Sequence, residues 1–82
     1  MFATEEDDFT LAWTAEENPD RWTAELWDTQ RGLVATTGQP GTERQTVWGY
    51  TRDPDRGYYS RLRATTGGQP GPWAVSDTIA PT

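Results

Sequence analysis

The sequence predicts an all-β fold, and three observations carry this prediction. Several stretches alternate apolar and polar side chains with a period of two, which is typical of strands buried on one face. No stretch has a helical period beyond a single turn. Turn signals rich in Gly, Pro, Asn and Asp separate the stretches at short, regular spacing. Short strands connected in this way favour a sandwich or a barrel.

The first half of the chain contains three predicted strands. In the first, Phe9, Leu11 and Trp13 lie on one face and threonine and alanine on the other. A turn at 18–20 precedes the second strand, in which Trp22 and Leu26 share a face. The third strand is short and ends at the predicted break Gly38-Gln39-Pro40-Gly41. These three strands are predicted at residues 9–14, 22–28 and 33–37.

The second half of the chain contains three further predicted strands. One centres on Val47 and Trp48. The strongest turn, at 53–57, combines Pro at the second turn position with a following Gly. After it, Tyr58, Ser60 and Leu62 alternate with Tyr59, Arg61 and Arg63. A loop at 65–72 then leads into the last strand. These strands are predicted at residues 45–48, 58–64 and 73–79.

The predicted core is aromatic rather than aliphatic. Leu, Ile, Val and Phe make up only ten of the 82 residues, but the chain has five Trp and three Tyr. Each aromatic side chain can bury about 150–250 Å², so a few at strand spacing can form a small core. The length predicts one domain, 1–82, with an acidic N-terminal segment at 1–8. The predicted core residues are Phe9, Leu11, Trp13, Trp22, Leu26, Val47, Tyr58 and Leu62.

Composition argues against several classes of function. The net charge of −6 disfavours a duplex nucleic-acid surface, which needs clustered cations. The chain has no Cys, His or Lys, and therefore lacks the usual catalytic bases, activated nucleophiles and zinc ligands. No apolar run is long enough to span a membrane. We therefore expect a protein that is not an enzyme and has no catalytic residues, cofactor, metal site or membrane partner.

The order of the strand patterns resembles a fibronectin type III domain from Phe9 to Ile79. Phe9-x-Leu11-x-Trp13 resembles strand B, Trp22-x-Ala24-x-Leu26 resembles strand C, and Tyr58-x-Ser60-x-Leu62-x-Ala64 resembles strand F. The segment Gly71-Pro72-Trp73-x-x-Ser76 is similar to the start of strand G. The resemblance implies a two-sheet antiparallel β-sandwich. Only eight residues precede Phe9, so we expect strand A to be either shortened to a stub supplied by Phe2 or missing. The resemblance also implies that the Tyr58 hydroxyl returns to the backbone a few residues upstream. Ser60 departs from the family, which usually has Val there.

The resemblance further implies that strands C, F and G are neighbours, which would bring five side chains to one outward face. They are either an Arg–aromatic stack that stabilises the sheet or a docking patch, since Trp, Tyr and Arg dominate binding hot spots. This candidate partner-binding face consists of Trp27, Tyr59, Arg61, Arg63 and Trp73.

The expected function is that of a binding or decoration module, with a protein as partner and carbohydrate as the second partner class. The start at Met1 and the lack of a secretion signal favour a small surface protein of a tailed-bacteriophage virion, on capsid or tail, assembled in the host cytoplasm. The alternative is an extracellular accessory fibronectin type III domain excised from a secreted bacterial carbohydrate-active enzyme. A missing strand A would leave the edge at 9–14 open. Either the negative charges of the acidic run, Glu5 to Asp8, prevent other strands from pairing with that edge, or a neighbouring protein supplies a strand to it.

Overall fold

The computed structural model describes residues 2–5 and 10–80, and all of its regular elements are strands. Residues 6–9 lie outside this part, and with them the predicted core residue Phe9 and three residues of the acidic segment, 6–8. The strands are β1 (Phe2–Glu5), β2 (Thr10–Trp13), β3 (Arg21–Asp28), β4 (Gly32–Pro40), β5 (Gln45–Val47), β6 (Tyr58–Thr66), β7 (Gln69–Pro70) and β8 (Ala74–Val75).

Two antiparallel sheets form the fold. The smaller has the order β1-β2-β5; the larger has the order β4-β3-β6-β7, with β8 also paired to β6. The predicted all-β, two-sheet architecture is therefore confirmed. The expectation of an open edge at 9–14 is wrong, because β1 pairs along β2 with Phe2 opposite Trp13, while β5 pairs with its other side. The first strand is thus short rather than missing.

All six predicted strands are present, but several boundaries differ. β4 continues through the predicted break to Pro40, since Gly38 and Gln39 pair with Thr23 and Trp22 of the long β3. Pairing along the whole length of β3 here outweighs the local turn preference of Gly and Pro. The predicted loop at 65–72 contains the end of β6, a turn at Gly67 and Gly68, and β7. Both glycines have positive φ (58° and 79°), which a two-residue hairpin turn requires. The last predicted strand is reduced to β8 and a single bridge from Ile79 to Tyr58.

The core lies between the two sheets and is dominated by aromatic rings. Trp13 from the small sheet packs on Trp22 from the large one, with ring centroids 5.7 Å apart. The predicted burial of Leu11, Trp13, Trp22, Leu26, Tyr58 and Leu62 is confirmed. The full buried cluster is Leu11, Trp13, Trp22, Ala24, Leu26, Trp48, Tyr58 and Leu62.

Val47 is not a core residue, contrary to the prediction. Its side chain is 62% exposed, whereas the neighbouring Trp48 is buried. The reason is register: Thr46 lies opposite the inward-facing Leu11, so Val47 must point outward. Sequence alternation alone leaves either face open in so short a strand.

Tyr58 closes the turn that precedes β6. Its hydroxyl accepts a hydrogen bond from the backbone N–H of Asp53, five residues upstream, at 2.9 Å. The predicted return of this hydroxyl to the upstream backbone is therefore confirmed. Burial raises the pKa of Tyr58 above its usual value. The ring also packs edge-on against Tyr50, at 6.0 Å between centroids.

Asp28 closes the turn between β3 and β4. Its Oδ1 accepts the backbone N–H groups of Gln30 (2.8 Å) and Arg31 (3.1 Å), and the turn ends at Gly32 with φ of 93°. The hydrogen bond from Gln30 is the main cause that holds the pKa of Asp28 below its usual value. Burial opposes it, and the Arg31 N–H and the charges of Arg56 and Arg31 support it.

This lowered pKa predicts a specific loss of stability in acid. The folded state binds the Asp28 proton more weakly than the unfolded state, so the carboxylate stabilises the fold above the usual pKa of 3.8. That contribution is lost as pH falls through the folded pKa. In Asp28→Asn, the amide oxygen can still accept both N–H groups but does not titrate. We expect the urea midpoint of the wild type to fall more steeply than the midpoint of Asp28→Asn as the pH decreases from the usual pKa of 3.8 to the lower pKa of the folded state. Parallel curves for the two proteins would contradict the assignment.

Candidate functional site

The outward face of the large sheet is organised by the register between β3 and β6. Thr23, Glu25 and Trp27 of β3 alternate with buried residues and point away from the core. Directly opposite them on β6 lie Arg63, Arg61 and Tyr59, in that order. Directly opposed residues in antiparallel strands have side chains close enough to interact. The pairing therefore places arginines and aromatic rings side by side.

The five residues predicted for the partner-binding face do come together. Tyr59 and Trp27 stack with nearly parallel rings, at 6.2 Å between centroids and 9° between planes. The guanidinium carbon of Arg61 lies 4.9 Å from the Trp27 ring centroid and 4.0 Å from that of Trp73. Arg63 lies 4.4 Å from the Trp73 centroid. Trp27, Tyr59, Arg61, Arg63 and Trp73 thus form one continuous stack, here named the Arg–aromatic face.

Glu25 is part of this arrangement, and the sequence prediction missed it. Its Oε1 accepts a hydrogen bond from the Trp27 indole Nε1 at 3.0 Å and forms an ion pair with the Nε of Arg61. The carboxylate therefore holds Trp27 and Arg61 in place at the centre of the stack. The available signal was that Glu25 and Trp27 are two residues apart and so share a strand face. Its pairing with Arg61, thirty-six residues away, depends on the register.

A buried polar network anchors β8, the strand that directly follows Trp73. The backbone N–H of Ser60 donates to the Ser76 hydroxyl, and the Ser76 N–H donates to the Ser60 carbonyl, each at 2.8 Å. These bonds anchor β8 to β6, and Trp73 directly precedes β8. The Ser60 hydroxyl accepts the indole N–H of Trp48 at 3.2 Å. This contact accounts for a polar side chain at the buried position 60.

The charge on this face differs from that of the whole chain. The outward-facing residues of β3 and β6 include three positive charges, Arg21, Arg61 and Arg63, and one negative charge, Glu25. The chain as a whole has a net charge of −6. The Glu25–Arg61 pair leaves Arg21 and Arg63 as cations without an acidic partner opposite them in the β3–β6 register. The face is therefore locally basic on an acidic protein.

Exposed apolar side chains lie on both sides of the stack. Leu33 of β4, opposite Trp27, is 47% exposed, and Val75 of β8, opposite Arg61, is 61% exposed. Together with the aromatic rings they give the face an apolar component next to its cations. Such a mixture is typical of protein interfaces, where aromatic residues and Arg are enriched.

Among residues 10–80, no group of three or more His, Cys, Asp or Glu residues could hold a metal ion. Within the same residues, no helix is long and apolar enough to cross a membrane.

No protein-family model matches the sequence, and no curated protein matches it.

Proposed function

We propose that the chain is a non-enzymatic protein-binding module that docks through the Arg–aromatic face. The observation that carries this proposal is the continuous stack of Tyr59, Trp27, Arg61, Trp73 and Arg63 on the outward side of the large sheet. Trp, Tyr and Arg are the residues that most often dominate binding energy. Here they form one surface rather than being scattered over the molecule.

The stack favours binding because it orders long side chains in advance. An interface that immobilises a flexible side chain loses about 0.5–1.5 kcal/mol in entropy. Arg61 is already held by Glu25 and by two rings, so docking would order it little further. The locally positive charge supports a partner with an acidic surface at this position, and Leu33 and Val75 support an apolar rim.

The nature of the contacts favours a protein over a carbohydrate. Sugars bind aromatic platforms by stacking on an open ring face. The rings of Trp27 and Trp73 already have guanidinium groups over them. A partner that uses the exposed edges of the stack and the arginine N–H groups fits this surface better.

The setting we propose is the surface of a tailed-bacteriophage virion, with the chain as a fibronectin type III-like decoration protein on capsid or tail. Support for the resemblance comes from β3, β6 and β8 being neighbours and from the contact of the Tyr58 hydroxyl with the backbone upstream. The genes beside the coding sequence discriminate this setting from the alternative. Capsid or tail genes favour decoration, whereas a catalytic domain in the same reading frame favours an accessory domain of a secreted enzyme.

Docking is tested on the purified product of a neighbouring capsid or tail gene by isothermal titration calorimetry. We expect Trp73→Ala to weaken affinity by about thirtyfold, which corresponds to a 2 kcal/mol hot spot. Arg63→Ala should also weaken it, because it removes a cation of the face. Arg31→Ala, an exposed arginine in the turn between β3 and β4, is the matched control and should leave affinity unchanged.

Thermal unfolding of the same variants separates docking from a purely stabilising role. Arg63 is half-buried, so loss of its cation–π contact removes about 0.5–2 kcal/mol of stability and Arg63→Ala should remain folded. If Arg63→Ala and Trp73→Ala lower the unfolding midpoint but bind as tightly as the wild type, the stack serves stability alone and the docking proposal fails.

A further inference from the structure

β4 is an open edge of the large sheet. It has nine residues and, among the described strands, pairs only with β3. A strand at a sheet edge presents unpaired N–H and C=O groups on its outer side, which can pair with another strand. Among the described strands, the longest open edge is therefore β4, and not the strand at 9–14 that the sequence predicted.

Composition sets β4 apart from the other edges of the described sheets. Its residues, Gly32 to Pro40, include no charged side chain, although 24% of the chain is charged. At the opposite edge of the same sheet, β7 and β8 have two residues each, and proline occupies positions 70 and 72. In the small sheet β5 has only three residues, and β1 ends in Glu5. Short length, proline and charge are the devices by which proteins prevent edge pairing, and β4 lacks them apart from its final Pro40.

We propose that β4 pairs antiparallel with β4 of a second copy of this chain, so that two five-stranded sheets become one. Pairing about a two-fold axis at Thr36, the middle residue, places Ala35 opposite Thr37 and Val34 opposite Gly38 of the other copy. No like charges come to lie opposite each other, because the strand has none. Threonine and valine also suit a sheet that is partly exposed.

The geometry limits this assembly to two copies. A two-fold contact uses the same edge on both chains and leaves none of that kind free. The opposite edge is formed by β7 and β8, which have two residues each. Their short length and the prolines at 70 and 72 prevent this edge from pairing with a further copy. Paired residues of an antiparallel sheet point to the same side, so both Arg–aromatic faces would face one way. The inference does not depend on the proposed function, but such a dimer would give bivalent docking.

The test compares the full-length wild type with two variants at Thr36. Its exposed side chain donates one hydrogen bond, to the Ala24 carbonyl at 3.1 Å, and both variants remove that bond. Thr36→Lys places two ammonium groups opposite each other on the axis. Thr36→Val is the matched control, since it keeps the β-branched shape and adds no charge. Circular dichroism and thermal unfolding confirm that each variant is folded.

Sedimentation equilibrium from micromolar to millimolar concentration gives the oligomeric state. We expect the wild type and Thr36→Val to approach twice the monomer mass of 9.2 kDa, and Thr36→Lys to stay monomeric. Added salt should strengthen the dimer, because it screens the repulsion between two chains of charge −6. Amide hydrogen exchange should slow at 32–40 as the concentration rises.

Three results would overturn the proposal. A wild type that stays monomeric at millimolar concentration does not pair through β4 with a second copy, so any strand added to this edge must come from another protein. A dimer that persists in folded Thr36→Lys must use another surface. Protection that grows with concentration elsewhere, while 32–40 is unchanged, points to the same conclusion.

Discussion

Replacing Trp13 with alanine is expected to lower the free energy of unfolding by about 3–5 kcal/mol, the usual loss when a large core aromatic is truncated. Trp13 is only 4% exposed, and it is the ring through which the small sheet packs on Trp22 of the large one. A domain of this kind has about 5–15 kcal/mol of stability in total, and few aliphatic residues here can compensate. We therefore expect most or all of the native population to be lost at physiological temperature.

Thermal and urea unfolding, followed by tryptophan fluorescence and circular dichroism, measure this effect. Val47→Ala is the matched control, because Val47 lies on the same sheet but is 62% exposed. It should change stability by no more than about 0.5 kcal/mol, as surface substitutions usually do. If Trp13→Ala left the midpoint almost unchanged, or if Val47→Ala were the more damaging variant, the register of the small sheet would be wrong.

Replacing Ser60 with valine is the second large expected effect, about 1–3 kcal/mol of lost stability. The substitution replaces the buried Ser60 hydroxyl with an apolar side chain. That hydroxyl accepts the hydrogen bond of the buried Trp48 indole N–H, so that this N–H loses its partner without regaining water.

A double-mutant cycle isolates that hydrogen bond from the change in volume. Trp48→Phe removes the indole N–H donor. Adding Ser60→Val in that background therefore leaves no buried N–H without an acceptor. We expect the valine substitution to destabilise the Trp48→Phe protein clearly less than the wild type, with a coupling of about 0.5–3 kcal/mol. Equal losses in both backgrounds, measured by urea unfolding, would show that the Ser60 hydroxyl does not serve Trp48.

Local pattern was sufficient wherever a residue's environment depends on its own strand. Alternation predicted that Leu11 and Trp13 are buried, and that Tyr59, Arg61 and Arg63 share the opposite side of β6 from Tyr58 and Leu62. The same reasoning failed at Val47, because a three-residue strand has too few positions to reveal which face is inward. Its orientation is set by the pairing of Thr46 with Leu11, more than thirty residues away in sequence.

The residues of the candidate site also divide into those that the sequence predicted and one that it missed. Its five stacked residues were predicted as one outward face, but only through the assumption that three particular strands are neighbours. Glu25 was missed, because its role requires the exact opposition of Arg61 across the β3–β6 register. The open edge was misplaced for a related reason. Whether a strand is an edge depends on every other strand in the sheet, and β1 and β4 were, respectively, unassigned and predicted too short.

By itself the sequence determined the all-β class and the aromatic core, because side-chain period and ring size act over a few neighbouring positions. The contact of the Tyr58 hydroxyl was predicted through the resemblance to a fibronectin type III domain. Only the tertiary structure decided that Trp48 replaces Val47 inside, that Glu25 holds Trp27 and Arg61, and that β4 is the open edge. These features arise from hydrogen bonds between strands that are distant in the chain. A shift of one residue in that pairing reverses which side chains are buried, and no local pattern specifies it.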